Sequence, residues 1–405
     1  MTDVPGRQAV TVRSSAADGW GRPLGAHATF NADDAGAVDL ATQAPTAGTY
    51  ASADPMGLVW SMSPMPGAPR DVLPHGILPP AALTLTAELD GAAISTTTVH
   101  RLRLPDDVTR TPVRERGLVG TLFHPIDDGP RPAVILLGGS EGGLHELDAA
   151  LLANHGFAVL ALAYFGTDGV PPFLVDIPLE YFETAIRFLQ AHPTVGNGPI
   201  GVIGGSRGGE AALLIGSTLD GIGAVVSTVG SGVLTQGIGP GASFEEIVGT
   251  PVPSWTWRGK PLPYLGNRIT AELRRQIGSG ELVELGRVFA PGMADATQVE
   301  ASSIPVERIR GAVLLVSAGD DRMWPCGPMS DVAAQRLSAA QITHEHLHFA
   351  DAGHPIAPPP YGPTTDVVSP GPGVTFAMGG TAPANAAARV TAWRRSVEFL
   401  QEHLE

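Results

Sequence analysis

From about residue 113 onward the chain repeats one pattern: a short run of continuous apolar residues, an amphipathic stretch of helical period, then another run. The runs are Ala133 to Leu137, Ala158 to Tyr164, Ile200 to Gly204, Gly223 to Val229 and Ala312 to Ser317. Strands that are apolar throughout must be covered on both faces, and stretches such as "LHELDAALLANHG" and "LEYFETAIRFLQAHP" supply the covering helices. A mostly parallel sheet with helices on both sides follows. The closing "AAARVTAWRRSVEFLQEHL" is a last helix of this set. Residues 231–300, rich in Gly, Pro and Trp, break the alternation. They are expected to form a cap-like excursion over the strand ends, where open α/β sheets bind their ligands.

Ahead of this lies a different grammar. Between Val10 and Arg103 the runs are short and alternate apolar with polar, as in "AHATFNA", "LTLTAEL" and "TTTVHRLRL", with turn residues about every ten positions. That period of two predicts an antiparallel β-sandwich of the immunoglobulin-like type. The segment "SPMPGAPRDVLPHGILPP", Ser63 to Pro80, carries too many prolines for strand or helix and reads as a loop. A chain of 405 residues accommodates both parts. The expected division is 1–112 for the sandwich and 113–405 for the α/β domain.

Charge and composition narrow the partners. A formal net charge of −15 disfavours nucleic acid or an anionic membrane surface, which call for basic faces. Lys260 is the single lysine, so an anionic group has to be met by arginine or by backbone N–H groups. The one cysteine, Cys326, cannot form an internal disulfide and lacks the turn of an activated nucleophile. No apolar run reaches the length of a membrane span, and no signal-peptide core precedes residue 20. A small-molecule substrate, no cofactor and a cytoplasmic setting are the expectations.

Two stretches match the G-x-S-x-G turn that presents a nucleophilic serine: "GGSEGG" (138–143) and "GGSRGG" (204–209). Each follows a buried run and precedes a helix, so local pattern does not separate them. Strand order does. In an α/β hydrolase the oxyanion-hole loop follows an early strand, and the nucleophile follows a later one with a strand and helix between. The run "FAVLALAYF" and the helix "LEYFETAIRFLQ" intervene here, which puts Ser206 on the elbow. The backbone N–H of Arg207 is then one oxyanion donor, and the side-chain-poor 138–143 loop offers a second at Gly139 or Ser140. Ser140 is expected to be a loop serine with no nucleophilic role.

In this fold the acid and the histidine follow the serine in that order. After "AVLLVSA" comes "GDDRMWP", where Asp320 and Asp321 compete. An acid followed closely by an apolar residue and proline, here Trp324-Pro325, selects Asp321, and leaves Asp320 to the turn. His354 stands in "DAGHPI", a loop after the strand-like "THEHLHF", where an imidazole can bridge serine and aspartate. His344, His346 and His348 share one face of that strand, yet no acidic or thiolate set accompanies them, and no metal site is expected.

With these residues in hand, the chain resembles the acyl-CoA thioesterase and bile acid-CoA:amino acid N-acyltransferase (BAAT) family. The likeness rests on "GGSEGGLHELDAALLANHGFAVLALAYF", "GVIGGSRGGEAALL", "GDDRMW", "DAGHPIAPPPY" and, in the N-terminal part, "GTYASADPMGLVWSM". It implies Ser206 as nucleophile, Asp321 as orienting acid and His354 as base, with a thioester substrate, acyl-CoA or carrier-bound, whose acyl group passes through serine. The bile-acid-conjugating branch of that family uses cysteine at the elbow. Serine here tilts the expectation toward water as acceptor, because an oxygen ester is less prone to aminolysis than a thioester. Three rivals stand beside this reading: transfer to an amine or alcohol, carboxylesterase or lactonase chemistry, and a non-catalytic module.

Overall fold

The computed structural model describes every residue except 1, 3, 20, 67–77, 79, 127–128, 361, 366–367, 372 and 405, and leaves out the side chains of 368–370. Six short strands make the N-terminal sheet: β1 (Ala9–Ala17), β2 (Pro23–Asn31), β3 (Ala47–Gly48), β4 (Ser63–Pro64), β5 (Ala81–Leu89) and β6 (Ala92–Arg101). Their order is β3-β2-β1-β5-β6 with β4 also on β2, and all pairings are antiparallel. Alternation decides which face is covered: Val10, Val12 and Ser14 of β1 and Ala26, Ala28 and Phe30 of β2 are buried while their neighbours are not. Against that face lie Tyr50 and the short helix α1 (Gly57–Trp60), joined by Ala386 from the far end of the chain.

Among the described residues all strands before residue 102 belong to one sheet, and Tyr50 and α1 pack on its covered face. Alternation says that a face is covered, not by what. The cover is tied down by polar contacts: Ser14 Oγ donates to Leu58 O at 2.6 Å, and Trp60 Nε1 to Asp54 at 2.8 Å. The proline-rich segment departs from expectation at its start, where Ser63–Pro64 pairs with Leu24–Gly25. An edge position tolerates the proline, which has no N–H to give. Residues 67–77 and 79 of that segment lie outside the described residues.

The second sheet has eight strands: β7 (Val108–Val113), β8 (Val119–Pro125), β9 (Ala133–Leu137), β10 (Ala158–Ala163), β11 (Ile200–Gly205), β12 (Ile222–Thr228), β13 (Ala312–Ala318) and β14 (His344–Phe349). They lie in the order β14-β13-β12-β11-β9-β10-β8-β7. From β14 to β10 the pairing is parallel; β8 and β7 add antiparallel strands at one edge. Thus β7 already belongs to the second sheet. The crossovers are α2 (Glu146–Ala153), α3 (Leu179–Gln190), α4 (Arg207–Thr218) and α5 (Cys326–Ala339), and α6 (Ala382–Leu404) closes the chain.

Every residue of β9, β10 and β13 is buried, which is why these strands read as unbroken apolar runs. Successive residues feed opposite cores. Val134 and Leu136 pack with Phe399 and Leu400 of α6, while Ile135 and Leu137 pack with Phe182 of α3 and Leu213 of α4. Between β12 and β13 the excursion carries four short helices (Phe244–Gly249, Ala271–Ser279, Ala290–Met293, Ala296–Ser302) and a strand, Trp255–Trp257, that pairs with Ile177–Pro178. The N-terminal part meets the second at α6: Thr364 N donates to Trp60 O at 2.9 Å, and the Thr364 hydroxyl to Ala382 O at 2.7 Å.

Candidate active site

At the centre of the sheet β11 ends at Gly205 and α4 begins at Arg207, leaving Ser206 alone in the turn. Its φ of 55° and ψ of −120° lie where a residue with a side chain is strained. The turn is this tight because β11 and α4 nearly touch. A Cβ at Gly204 would come within 2.3 Å of the Gly208 carbonyl, and one at Gly208 within 2.5 Å of Gly138 O. Backbone bonds hold the strain: Ser206 N donates to Thr228 O at 2.9 Å, and Ser206 O accepts from Gly209 N and Glu210 N.

The hydroxyl so presented lies 3.0 Å from His354 Nε2, and His354 Nδ1 lies 2.8 Å from Asp321 Oδ2. The carboxylate can only accept, so the proton belongs on Nδ1, and Nε2 is left to accept from the serine. Asp321 is itself fixed, its other oxygen accepting from Met323 N at 2.9 Å and Trp324 N at 3.3 Å. Only 1% of the Asp321 side chain is exposed against 42% for Asp320, which instead pairs with Arg322 and accepts from Gly380 N. Short antiparallel bridges, Asp321 with Gly379 and Ala352 with Gly380, tie the acid loop and the histidine loop to one shared segment, and Asp320 N donates to Ala352 O at 2.9 Å. Trp324 packs edge-on against the imidazole at 6.3 Å and donates its indole N–H to Val229 O.

The 138–143 loop lies against this turn. A Cβ at Gly139 would stand 3.3 Å from Ser206 Cβ, and Tyr164 OH pins Gly138 O at 2.8 Å. The Arg207 N–H heads α4 and so has no intrahelical acceptor. The Gly139 N–H is different: it donates to Glu141 Oε1 at 3.1 Å. Ser140 is exposed. Glu141 in turn sits 2.8 Å from His145 Nε2, whose other nitrogen is 3.6 Å from Asp148. Burial works to raise the Glu141 carboxyl, but the His145 partner prevails and holds it at about 2. Burial likewise works to lower His145, and the two carboxylates raise it to about 10. Both are charged at neutral pH.

Behind the elbow lies a buried polar cluster that the sequence reading missed. Glu210, fully buried, accepts from Arg207 Nη1 (2.8 Å), Trp255 Nε1 (2.8 Å) and Thr235 Oγ1 (2.7 Å), while Arg207 also reaches Ser254. Burial pushes the Glu210 carboxyl up, and Arg207, Trp255 and Thr235 pull against it. Trp255 stacks on Tyr164 at 5.7 Å, so one connected cluster ties the serine turn to the excursion and to the 138–143 loop. A signal was present: Arg207 and Glu210, three apart, are the only charges on a helix whose first eleven residues are all buried.

Other sequence candidates fall elsewhere. His346 and His348 both bond the Ser317 hydroxyl, His344 bonds Ile342 O, and among the described residues no group of three or more His, Cys, Asp and Glu is arranged to hold a metal. Cys326 is buried, its sulfur hydrogen-bonded to the Ala318 backbone; burial first, then the nearby Asp321, pushes the thiol well up. A cavity of about 490 Å³ beside Leu219, Trp257, Leu262 and Arg308 opens at the C-terminal end of α4. That is a helix length of about 18 Å from Ser206.

Two family profiles match: "Acyl-CoA thioester hydrolase/BAAT N-terminal region" over residues 1–115 and "BAAT / Acyl-CoA thioester hydrolase C terminal" over 177–405. Human mitochondrial acyl-coenzyme A thioesterase 2 is 33% identical, over 98% of this chain and 79% of its own length. Human acyl-coenzyme A thioesterase 1 is 32% identical, and the peroxisomal succinyl-coenzyme A thioesterase of Mus musculus 31%, each over 98% of this chain and 90% of its own. No helix among the described residues is long and apolar enough to cross a membrane. With an N-terminal β domain and an α/β-hydrolase domain matched in one chain, this protein is an enzyme of the acyl-CoA thioester hydrolase/BAAT family.

Proposed function

We propose that the protein hydrolyses acyl-CoA thioesters through a covalent acyl-serine at Ser206. The observation that carries the reading is the continuous hydrogen-bonded line from Ser206 Oγ through His354 to Asp321. His354 Nε2 takes the hydroxyl proton as Oγ attacks the thioester carbonyl, and Asp321 stabilises the imidazolium. The tetrahedral oxyanion rests on N–H groups of Arg207 and the 138–143 loop. Collapse breaks the C–S bond, and the imidazolium returns its proton to the departing thiolate. Water, deprotonated by His354, then attacks the acyl-serine, releasing the acid and restoring the hydroxyl.

The test uses a panel of acyl-CoA thioesters read by free thiol release, with the oxygen esters of the same acids beside them. Ser206→Ala is expected to lower kcat by at least about 10³-fold, because the three groups act as a unit. A fluorophosphonate is expected to label the wild-type protein at Ser206. Labelling at Ser140, or full thiol release by Ser206→Ala, would overturn the assignment. Preference for the oxygen esters, or an acyl-amine product in the presence of amines, would replace hydrolysis of thioesters by one of the rival reactions.

A further inference from the structure

One of the two N–H groups expected to offer the second oxyanion donor, that of Gly139, is bonded to the protein's own carboxylate. Gly139 lies against the serine turn, where a Cβ on it would stand 3.3 Å from Ser206 Cβ, and its N–H donates to Glu141 Oε1 at 3.1 Å. The same oxygen lies 2.8 Å from His145 Nε2. Glu141 thus has two donors, one belonging to the reaction site and one behind it. His145 can take this position because Gly138 has no side chain; a Cβ there would lie 2.4 Å from the ring. Asp148 faces the ring from the other side, and the Glu141 side chain is 45% exposed, so the carboxylate has room to leave the Gly139 N–H while it keeps His145.

We propose that Glu141 is the resting occupant of the second oxyanion donor, and that its withdrawal onto His145 is the step that frees the Gly139 N–H for the substrate's carbonyl oxygen. The inference rests on the proposed acyl-serine chemistry. Glu141 is a positioning residue in this scheme, since it touches no reacting atom. A carboxylate on the donor opposes a developing oxyanion twice, by holding the hydrogen bond and by like charge. The cation at His145 favours the oxyanion twice, by drawing Glu141 aside and by its own charge.

The two members of one ion pair therefore have opposite signs of effect, which a merely structural pair does not. The readout is the second-order rate of fluorophosphonate labelling, in which Ser206 Oγ bonds to phosphorus, fluoride leaves, the proton passes to His354, and the phosphoryl oxygen takes the oxyanion position. Glu141→Ala is expected to label about three- to tenfold faster than wild type, and the isosteric Glu141→Gln faster by a smaller factor, since a neutral amide oxygen still accepts but more weakly. His145→Gln is expected to label several-fold more slowly. Should Glu141→Ala misfold, Glu141→Gln decides. The proposal is overturned if the Glu141 variants label no faster than wild type, or if all three variants slow together. Absence of wild-type labelling at Ser206 would strike the acyl-serine reading itself, a distinguishable failure.

Discussion

Glu210→Ala isolates what the buried cluster behind the elbow contributes. The substitution removes a fully buried carboxylate and leaves the Arg207 guanidinium, about 6% exposed, without its counter-ion. It also strips an acceptor from Trp255 Nε1, Thr235 Oγ1 and Thr235 N. Each hydrogen bond to a charged group is worth about 1.5–3 kcal/mol, but these share one carboxylate and do not add. Breaking one side of a buried pair costs about 3–5 kcal/mol in all. At about 2–4 °C per kcal/mol the unfolding midpoint of the α/β domain falls by roughly 6–20 °C. Followed by near-ultraviolet circular dichroism, Glu210→Ala should show this loss, whereas Arg207→Met with Glu210→Met should recover much of it, because two apolar side chains leave no charge stranded. A loss below about 1 kcal/mol in the single variant, or a double variant worse than the single, would mean that Glu210 does not hold this cluster together.

Two further outcomes follow from the site. Asp321→Asn is expected to lower kcat for thiol release by about 10⁴-fold by losing the imidazole tautomer, while Asp320→Asn, whose carboxylate faces Arg322 and Gly380 N, should stay within about tenfold of wild type. Cys326, whose thiol is raised by burial and by Asp321, holds almost no thiolate near pH 8, so a disulfide reagent should titrate it only after unfolding; fast reaction with the native protein would contradict its placement.

Much of the architecture was legible because it depends on local period. The unbroken apolar runs of β9, β10 and β13 needed cover on both faces, and they have it. The alternation in β1 and β2 needed cover on one face. What covers it could not be read, since Trp60 and Ala386 reach that face from more than 300 residues apart. The buried cluster was equally hidden: Glu210 reads as a helix residue, and the groups that satisfy it, Thr235 and Trp255, come from 25 and 45 residues further on.

The candidate site divides the same way. Local sequence marked candidates for tight turns at the strand ends in the two G-x-S-x-G stretches, and at 204 and 208 the close backbone approach does require glycine. It took the packed fold to bring Ser206 and His354, 148 residues apart, to 3.0 Å from one another, and to set Asp321 Oδ2 2.8 Å from His354 Nδ1. The fold also decided that the Gly139 N–H is held by Glu141. A hydrogen bond is a matter of tenths of an ångström and of direction, and those are set by the packing of distant elements that no local pattern encodes.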